Sequence, residues 1–300
     1  MDGEAWTREV LAELRAGRFT PGAWSWFLAR SFARARERRA ERPREHRAVV
    51  AFGAVGSVAW LSLIAVGQLR LALAGITWWL LHMAMLDWHL GLLERPDGSR
   101  LDRIGVANLL TLTRGGLPPA LLALAGAPAG LVLLLLAGGA DVADGRLARR
   151  RNEETLLGVW LDGSADTFVV GAATLGAALH ALLPLWAAAL VLLHLALPCA
   201  LIAGVYFGRA RRPPLDGIAG SRSFNLTAGA ILFGGLALAL LRLPEAGPVV
   251  VAGAAGGIGG LVLAARRSRA RGGRKSAASV SFWRCVAVIG SSRRAAGEPP

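Results

Sequence analysis

Cysteine and charged residues are scarce in this 300-residue chain. The two cysteines, Cys199 in an apolar run and Cys285 in a basic tail, predict neither a disulfide nor a metal site. Charged residues make up 18% of the chain, whereas soluble domains carry about 25%, so a soluble fold is disfavoured. The sequence shows no zinc-finger spacing and no aromatic-rich basic surface, and we therefore expect no nucleic-acid partner.

The sequence contains several long runs of apolar residues. Hydrophobic residues make up 54% of the chain, and the mean hydropathy is +0.47. A membrane-spanning helix needs about 20 mostly apolar residues, and only helices or closed barrels satisfy the backbone in lipid. Because the runs are continuous rather than alternating, they predict an all-α, polytopic membrane helix bundle. Eight helices are expected, at residues 48–67, 71–93, 105–125, 127–147, 157–180, 182–206, 224–242 and 247–265.

Basic residues are divided unevenly between the two sets of connections. The formal net charge is +14, and nearly all the basic residues are arginines in the N-terminal segment, 94–104, 148–156, 207–223 or the C-terminal tail. Only Arg70 and Arg242 lie near the opposite set of connections. Because cytoplasmic loops carry the excess of Lys and Arg, we predict a multi-pass protein of the plasma (inner) membrane with both termini in the cytoplasm.

Four segments are expected along the chain. Residues 1–47 form a basic amphipathic cytoplasmic segment, which is either a helix lying on an anionic membrane surface or a disordered tail. Residues 48–95 supply two accessory transmembrane helices, and residues 96–265 supply a six-helix core. Residues 266–300 form a basic, flexible tail.

The second accessory helix carries several polar and aromatic residues. Asp87 and His89 are two apart, so they do not face each other, and both are expected to reach water near the cytoplasmic end. Trp78 and Trp79 are expected to face lipid or the membrane interface. His82 has no metal-ligand spacing to another histidine. None of these residues is predicted to carry function.

Four regularly spaced aspartates lie between residues 141 and 166. Asp141 and Asp144 are three apart, and Asp162 and Asp166 are four apart, so each pair shares one face of a helix. A short polar hairpin joins the two helices, and the four carboxylates therefore converge near its cytoplasmic end. Bare carboxylates there would repel one another, whereas a divalent cation would cancel the repulsion. Oxygen ligands favour Mg²⁺ or Mn²⁺, metals that commonly handle diphosphates.

The same stretch follows the pattern D-x2-D-G-x2-A-R-x8-G-x3-D-x3-D at every fixed position. This pattern resembles the signature of the CDP-alcohol phosphotransferase family. The resemblance implies a six-helix membrane enzyme, usually a dimer, with a polar cavity facing the cytoplasm. It also implies that Asp141, Asp144 and Asp162 bind metal. By the same resemblance Asp166 is the catalytic base for the acceptor hydroxyl and can contact a second metal ion.

A nucleotide site is also implied by the resemblance. Residues 108–114 match the family's N-x-L-T-x2-R element, although Ala107 replaces the proline that usually precedes the asparagine. The small residues of the long signature allow a phosphate or a neighbouring helix to come close to the backbone. Seven residues are therefore expected to form the CDP site: Asn108, Thr111, Arg114, Gly145, Ala148, Arg149 and Gly158.

The implied reaction moves a phosphatidyl-type group from a CDP-alcohol such as CDP-diacylglycerol to an alcohol in phospholipid biosynthesis, and releases CMP. The acceptor is left open. Arg209, Arg211 and Arg222 could bind a phosphorylated acceptor, or they could be ordinary positive-inside charge. An alternative function is a divalent-metal transporter that uses the buried carboxylates. A transporter, however, is expected to show repeat symmetry and polar residues through the midplane, and neither is found in the sequence.

Overall fold

A computed structural model describes residues 3–95, 98–209 and 222–270, and within these ranges the fold is helical without a β-strand. Two short 3₁₀ helices, Ser62–Val66 and Leu90–Leu92, follow the third and fourth α-helices. The described α-helices, in chain order, are α1 (Gly3–Ala16), α2 (Pro21–Ala40), α3 (Pro43–Leu61), α4 (Leu69–Trp88), α5 (Val106–Gly115), α6 (Pro118–Leu124), α7 (Pro128–Arg151), α8 (Leu156–Leu179), α9 (Leu185–Arg209), α10 (Arg222–Leu240) and α11 (Ala246–Ala270).

Residues 105–125, predicted as one helix, form the two helices α5 and α6. Pro118 and Pro119 have no N–H to donate to the carbonyls four residues earlier, and a proline ring clashes with the preceding turn. The amide of Leu117 donates instead to the carbonyl of Arg114 at 3.1 Å, which tightens the end of α5. The prediction of a single helix was therefore wrong here, and the break lies beside Arg114.

Several of the helices are suited to cross a membrane. Their surface is apolar where it is exposed: Val55 is 66% exposed, Leu185 77% and Trp186 64%, as expected for side chains that face lipid. Helix α7 is less apolar because its second half carries the aspartates and arginines of the sequence pattern. The all-α, polytopic membrane bundle is confirmed by five stretches that are long and apolar enough to span: Pro43–Val66, Leu69–Trp88, Leu156–Leu179, Leu185–Gly208 and Ala246–Leu263.

Buried apolar side chains form two clusters. One joins α6, the first half of α7, the second half of α8, and α9 to α11. The other joins α3, α4, the linker before α5, α5 itself and the first turns of α8, where Leu157 and Leu161 are almost fully buried. The accessory helices therefore share a core with the start of the helix that carries Asp162 and Asp166, and this packing fixes where those carboxylates lie.

The N-terminal segment forms α1 and α2, which pack on each other through buried side chains such as Val10 and Leu14. Arg39, near the end of α2, contacts Asp87 of α4, with 2.5 Å between Nη2 and Oδ2. His46 Nδ1 lies 2.7 Å from the other oxygen of the same carboxylate. The expectation that Asp87 reaches water was wrong, because it is 9% exposed and paired with both side chains.

A buried charge cluster ties α3 to the linker before α5. Arg42 Nη2 lies 3.6 Å from Glu94 Oε1, and Arg42 Nη1 lies 3.8 Å from Glu45 Oε1. All three residues are less than one tenth exposed. Burial raises the pKa of Glu94, although Arg42 and Arg100 act in the opposite direction. Keeping Glu94 ionised in this cluster therefore costs free energy, and protonation of Glu94 changes the free energy of unfolding.

Candidate functional site

The hairpin of α7 and α8 brings four aspartates together. Asp141 and Asp144 lie on the second half of α7, and Asp162 and Asp166 lie on the first half of α8. The spacings of three and four residues place each pair on one helix face. The convergence predicted from the sequence is therefore present in the structure.

The turn between the two helices is short and well capped. Helix α7 ends at Arg151, and the next residue, Asn152, caps it with a φ of 54°, the left-handed conformation that asparagine tolerates at helix ends. Thr155 caps α8 by accepting a hydrogen bond from the amide of Gly158 at 2.9 Å. The amide of Leu156 donates to the carbonyl of Glu94 at 2.9 Å. The chain that follows α4 thus helps to fix the start of α8.

The guanidinium of Arg114 lies at the centre of the four carboxylates. Its Nη1 atom is 2.5 Å from an oxygen of Asp141 and 2.5 Å from an oxygen of Asp166. Its Nη2 atom is 2.5 Å from Asp162 and 3.8 Å from Asp144. The side chain of Arg114 is 2% exposed, so this cation is removed from water and neutralised by acidic groups on both helices.

Three of the aspartates also form a set that fits a metal ion. One carboxylate oxygen from each of Asp141, Asp144 and Asp162 lies within 4.8 Å of the other two. Oxygens bound to one Mg²⁺ lie about 2.1 Å from it, so small side-chain rotations bring all three onto one ion. The oxygen-only donor set suits a hard divalent cation. Arg114 contacts the same three carboxylates, so a bound ion would share them with the guanidinium.

The carboxylates differ in their access to solvent. The side chain of Asp144 is 6% exposed and accepts a hydrogen bond from the Thr111 hydroxyl at 2.6 Å. Those of Asp141, Asp162 and Asp166 are 43%, 50% and 54% exposed. The site therefore has one buried carboxylate with a fixed orientation and three that an entering ligand can reach. Asp166 lies outside the set of three that fits one ion.

Asn108 and Gly158 form the contact between α5 and the first turn of α8. The Asn108 side-chain amide donates to the carbonyl of Ile104 at 2.6 Å and lies 3.5 Å from Thr155 Oγ1. A Cβ at Gly158 would lie 2.7 Å from the Asn108 side-chain oxygen, so a larger residue there would push the two helices apart. Asn108 is 3% exposed, so its side chain is buried in this contact.

The remaining residues of the expected CDP site lie on the last turns of α7. Gly145 and Ala148 are half-buried, and the Arg149 guanidinium lies close to the place where a Gly145 Cβ would be, at 3.4 Å. For the expected acceptor site, Arg211 lies outside the described residues. Arg209 and Arg222 lie at the ends of α9 and α10, and their side chains are outside the described part of the chain.

Sequence reasoning missed a set of α4 side chains that pack beside Arg114. The indole N–H of Trp78 donates to the carbonyl of Gly115 at 2.8 Å. His82 is buried, and a Cβ at Gly115 would lie 2.8 Å from its ring. Directly after α4, His89 stacks on Trp160 of α8 with 4.3 Å between ring centroids. Pro118 and Pro119 could have indicated this contact, because they lack the N–H groups that would donate to the carbonyls at the end of α5.

A comparison with protein families matches residues 104–262 to the family described as CDP-alcohol phosphatidyltransferase. The match covers just over half of the chain and includes α5 to α10 and most of α11. No match was found among curated proteins or among solved structures. Helices α1 to α4 lie outside the matched range, although α4 packs directly on α5.

Proposed function

This chain belongs to the CDP-alcohol phosphatidyltransferase family, and from that premise we propose that it transfers the phosphatidyl group of CDP-diacylglycerol, or of a similar CDP-alcohol, to an alcohol and releases CMP. Membership and the apolar helices make the protein a membrane-bound CDP-alcohol phosphotransferase of phospholipid synthesis. The identity of the donor and the product is the proposal. The family match also weighs against a divalent-metal transporter.

One observation carries the proposal: four carboxylates from two adjacent helices surround a single buried cation, Arg114. We infer that Asp141, Asp144 and Asp162 hold Mg²⁺ or Mn²⁺, supported by their mutual distances and by their oxygen-only donor set. A metal ion bound there would neutralise the donor diphosphate and polarise the bond that breaks.

Asp166 is the proposed general base. It lies outside the metal-binding set of three, and it is half exposed, so an acceptor hydroxyl can reach it. In the reaction the acceptor oxygen forms a bond to the lipid-side phosphorus, the bond from that phosphorus to the CMP oxygen breaks, and the hydroxyl proton passes to Asp166. Arg114 donates to the Asp166 carboxylate and so holds it in one orientation before the acceptor binds.

The nucleotide is proposed to bind against the last turns of α7 and the end of α5. Gly145 leaves the α7 backbone open to a phosphate, and Arg149 lies beside it with its side chain exposed. Ala148, Asn108, Thr111, Arg114 and Gly158 complete the proposed site. Asn108 and Gly158 are proposed to support it by setting the spacing of α5 and α8, because a Gly158 Cβ would lie 2.7 Å from the Asn108 side-chain oxygen.

The proposed site opens to the cytoplasm in the inner (plasma) membrane. Arg149, Arg150 and Arg151 end α7 beside the carboxylates, and the positive-inside rule assigns such a cluster to the cytoplasmic side. Both termini are proposed to lie on that side, and the protein is proposed to act as a homodimer. Arg209, Arg211 and Arg222 are proposed to bind the phosphate of a phosphorylated acceptor, which would explain why arginines are concentrated in this region.

The test is a transfer assay with purified protein in lipid vesicles. Labelled CDP-diacylglycerol is offered with a panel of free and phosphorylated alcohols, with Mg²⁺ or Mn²⁺, and both CMP and the lipid product are measured. We expect one CMP for each lipid formed, and no product in the presence of a chelator. CMP-independent movement of divalent metal into the vesicles, without any lipid product, would support the transporter instead.

A matched pair of variants tests the role of Asp166. Asp166→Asn removes the proton acceptor but keeps the size of the side chain, and we expect turnover to fall at least about 100-fold, as for loss of a general base. Asp102→Asn makes the same change at an exposed residue of the linker before α5, and it should keep wild-type turnover. Full activity of Asp166→Asn, with the protein correctly folded, would show that another group takes the proton.

A further inference from the structure

The end of α5 contains a carbonyl that its own helix cannot satisfy. In a continuous helix the carbonyl of Gly115 would accept a hydrogen bond from the amide of residue 119. That residue is Pro119, which has no N–H. The carbonyl belongs to the residue directly after Arg114, inside a buried region where an unpaired acceptor is costly.

Helix α4 supplies the missing donor. The indole N–H of Trp78 reaches the Gly115 carbonyl at 2.8 Å. The same indole packs edge-on against Phe168 of α8, with 4.8 Å between ring centroids. Phe168 is two residues after Asp166, so one side chain of α4 contacts two of the three helices that carry the central site, α5 and α8.

The surroundings of Gly115 show that this contact is tight. His82 of α4 is buried against the glycine, and a Cβ there would lie 2.8 Å from its ring. Ala165 of α8 would lie 3.8 Å from the same Cβ. The end of α5 is therefore held between α4 and α8 without room for a side chain.

We propose that Trp78 is a positioning residue for the transfer reaction, holding the end of α5 so that Arg114 stays among the four carboxylates. The inference rests on the proposed function of that site, and it gives the accessory helix α4 a part in it. The Arg114 guanidinium makes three contacts of 2.5 Å to different aspartates, so a small movement of its backbone breaks several of them at once. Trp78 itself touches neither substrate nor metal in this proposal.

A tryptophan of the accessory helix pair provides the control. Trp60 lies on α3, and its ring packs on Gly75 of α4, where a Cβ would lie 2.0 Å from the ring. Trp78→Phe and Trp60→Phe make the same substitution, but only Trp78→Phe removes the hydrogen bond to the end of α5. Thermal unfolding in detergent first checks that both variants are folded.

Donor kinetics and hydrogen exchange then separate the two variants. For Trp78→Phe we expect the KM for the CDP donor to rise about tenfold and kcat to fall by a similar factor, since about 1 Å of misplacement can cost that much or more. The KM for the acceptor alcohol should be unchanged. Amide exchange at residues 115–117 should become about tenfold faster. Trp60→Phe should keep the wild-type donor KM and the wild-type exchange at these residues.

If Trp78→Phe keeps the wild-type donor KM and the wild-type exchange, the proposal is wrong. It is also wrong if the control variant changes both quantities as much as Trp78→Phe does. If wild-type protein turns over no CDP donor, the proposed function fails. The exchange measurement still tests the contact from Trp78 to the end of α5 in that case, so the two failures are distinguishable.

Discussion

Removing Arg114 should make the stability of the protein depend strongly on divalent metal. Its guanidinium is the positive charge that the described structure places among four carboxylates, and Arg114→Gln leaves those carboxylates facing one another. Removing one partner of a buried ion pair costs about 3–5 kcal/mol. Three of these carboxylates are roughly half exposed, so solvent screens part of the repulsion, and we take the lower end, about 3 kcal/mol.

The predicted loss is large enough to measure by thermal unfolding. One kcal/mol lowers the melting temperature of a protein of this size class by about 2–4 °C, so Arg114→Gln should melt about 6–12 °C lower in a chelator. Millimolar Mg²⁺ should recover much of this difference, because the carboxylates then gain another cation. Arg150→Gln, an exposed change on the last turn of α7, should stay close to wild type in both conditions.

Two results would refute this reasoning. Arg114→Gln could melt at the wild-type temperature in chelator, which would mean that the carboxylates do not need the guanidinium. Alternatively, Mg²⁺ could raise the melting temperatures of wild type and variant equally, which would mean that metal and guanidinium do not share the same oxygens. Arg114→Lys adds a graded test, because it keeps the charge but loses the two-pronged geometry, and its melting temperature should fall between the other two.

Three further predictions concern residues around the site. Thr111→Val removes the donor to buried Asp144 and should cost about 1.5–3 kcal/mol with reduced metal affinity, measured by thermal unfolding with and without Mn²⁺. Gly158→Ala should cost about 1–3 kcal/mol, because its Cβ would meet a buried amide oxygen, whereas Gly139→Ala on an open face of α7 should have little effect. Glu94→Gln should gain stability relative to wild type as the pH rises above about 4.5, because burial raises the pKa of the native carboxyl and its ionisation then opposes folding. If the difference in free energy of unfolding between the two proteins stays constant with pH, this prediction is wrong.

The acidic hairpin could be predicted from the sequence because the information is local. Spacings of three and four residues define a helix face without reference to the rest of the fold. The polar residues between Arg151 and Leu156 allow one short turn, so the two acidic faces had to lie close together. The apolar runs likewise predicted helices, since a continuous run in lipid has few other ways to satisfy its backbone.

The central position of Arg114 could not be predicted in this way. It lies 27 residues before Asp141 and 52 before Asp166, and its contacts depend on how α5 is rotated against both acidic helices. Periodicity gives the face of one helix but not the rotation of its neighbours. The break after α5 was visible in Pro118 and Pro119, although the apolar composition of the run concealed it.

Trp78 shows a different limit. A tryptophan in an apolar run is an ordinary lipid-facing or interfacial residue, and that interpretation holds unless a neighbouring helix offers an acceptor. Here the acceptor is the Gly115 carbonyl, and it is free because of a proline four residues later. Predicting the contact required knowledge of both the helix break and the packing of α4 against the end of α5, and only the helix break can be predicted from the local sequence.

Arg114 also bears on how the site can exist before its ligands bind. Four carboxylates at a membrane-embedded hairpin carry a formal charge of −4, and one guanidinium reduces it to −3. That partial neutralisation limits the repulsion that would otherwise splay α7 and α8, while it leaves enough negative charge to attract a divalent cation. A lysine would give the same charge from one nitrogen, whereas Arg114 divides its contacts between two: Nη1 contacts Asp141 and Asp166, and Nη2 contacts Asp162. The geometry therefore favours arginine at this position for structural reasons that are separate from any contact with the nucleotide.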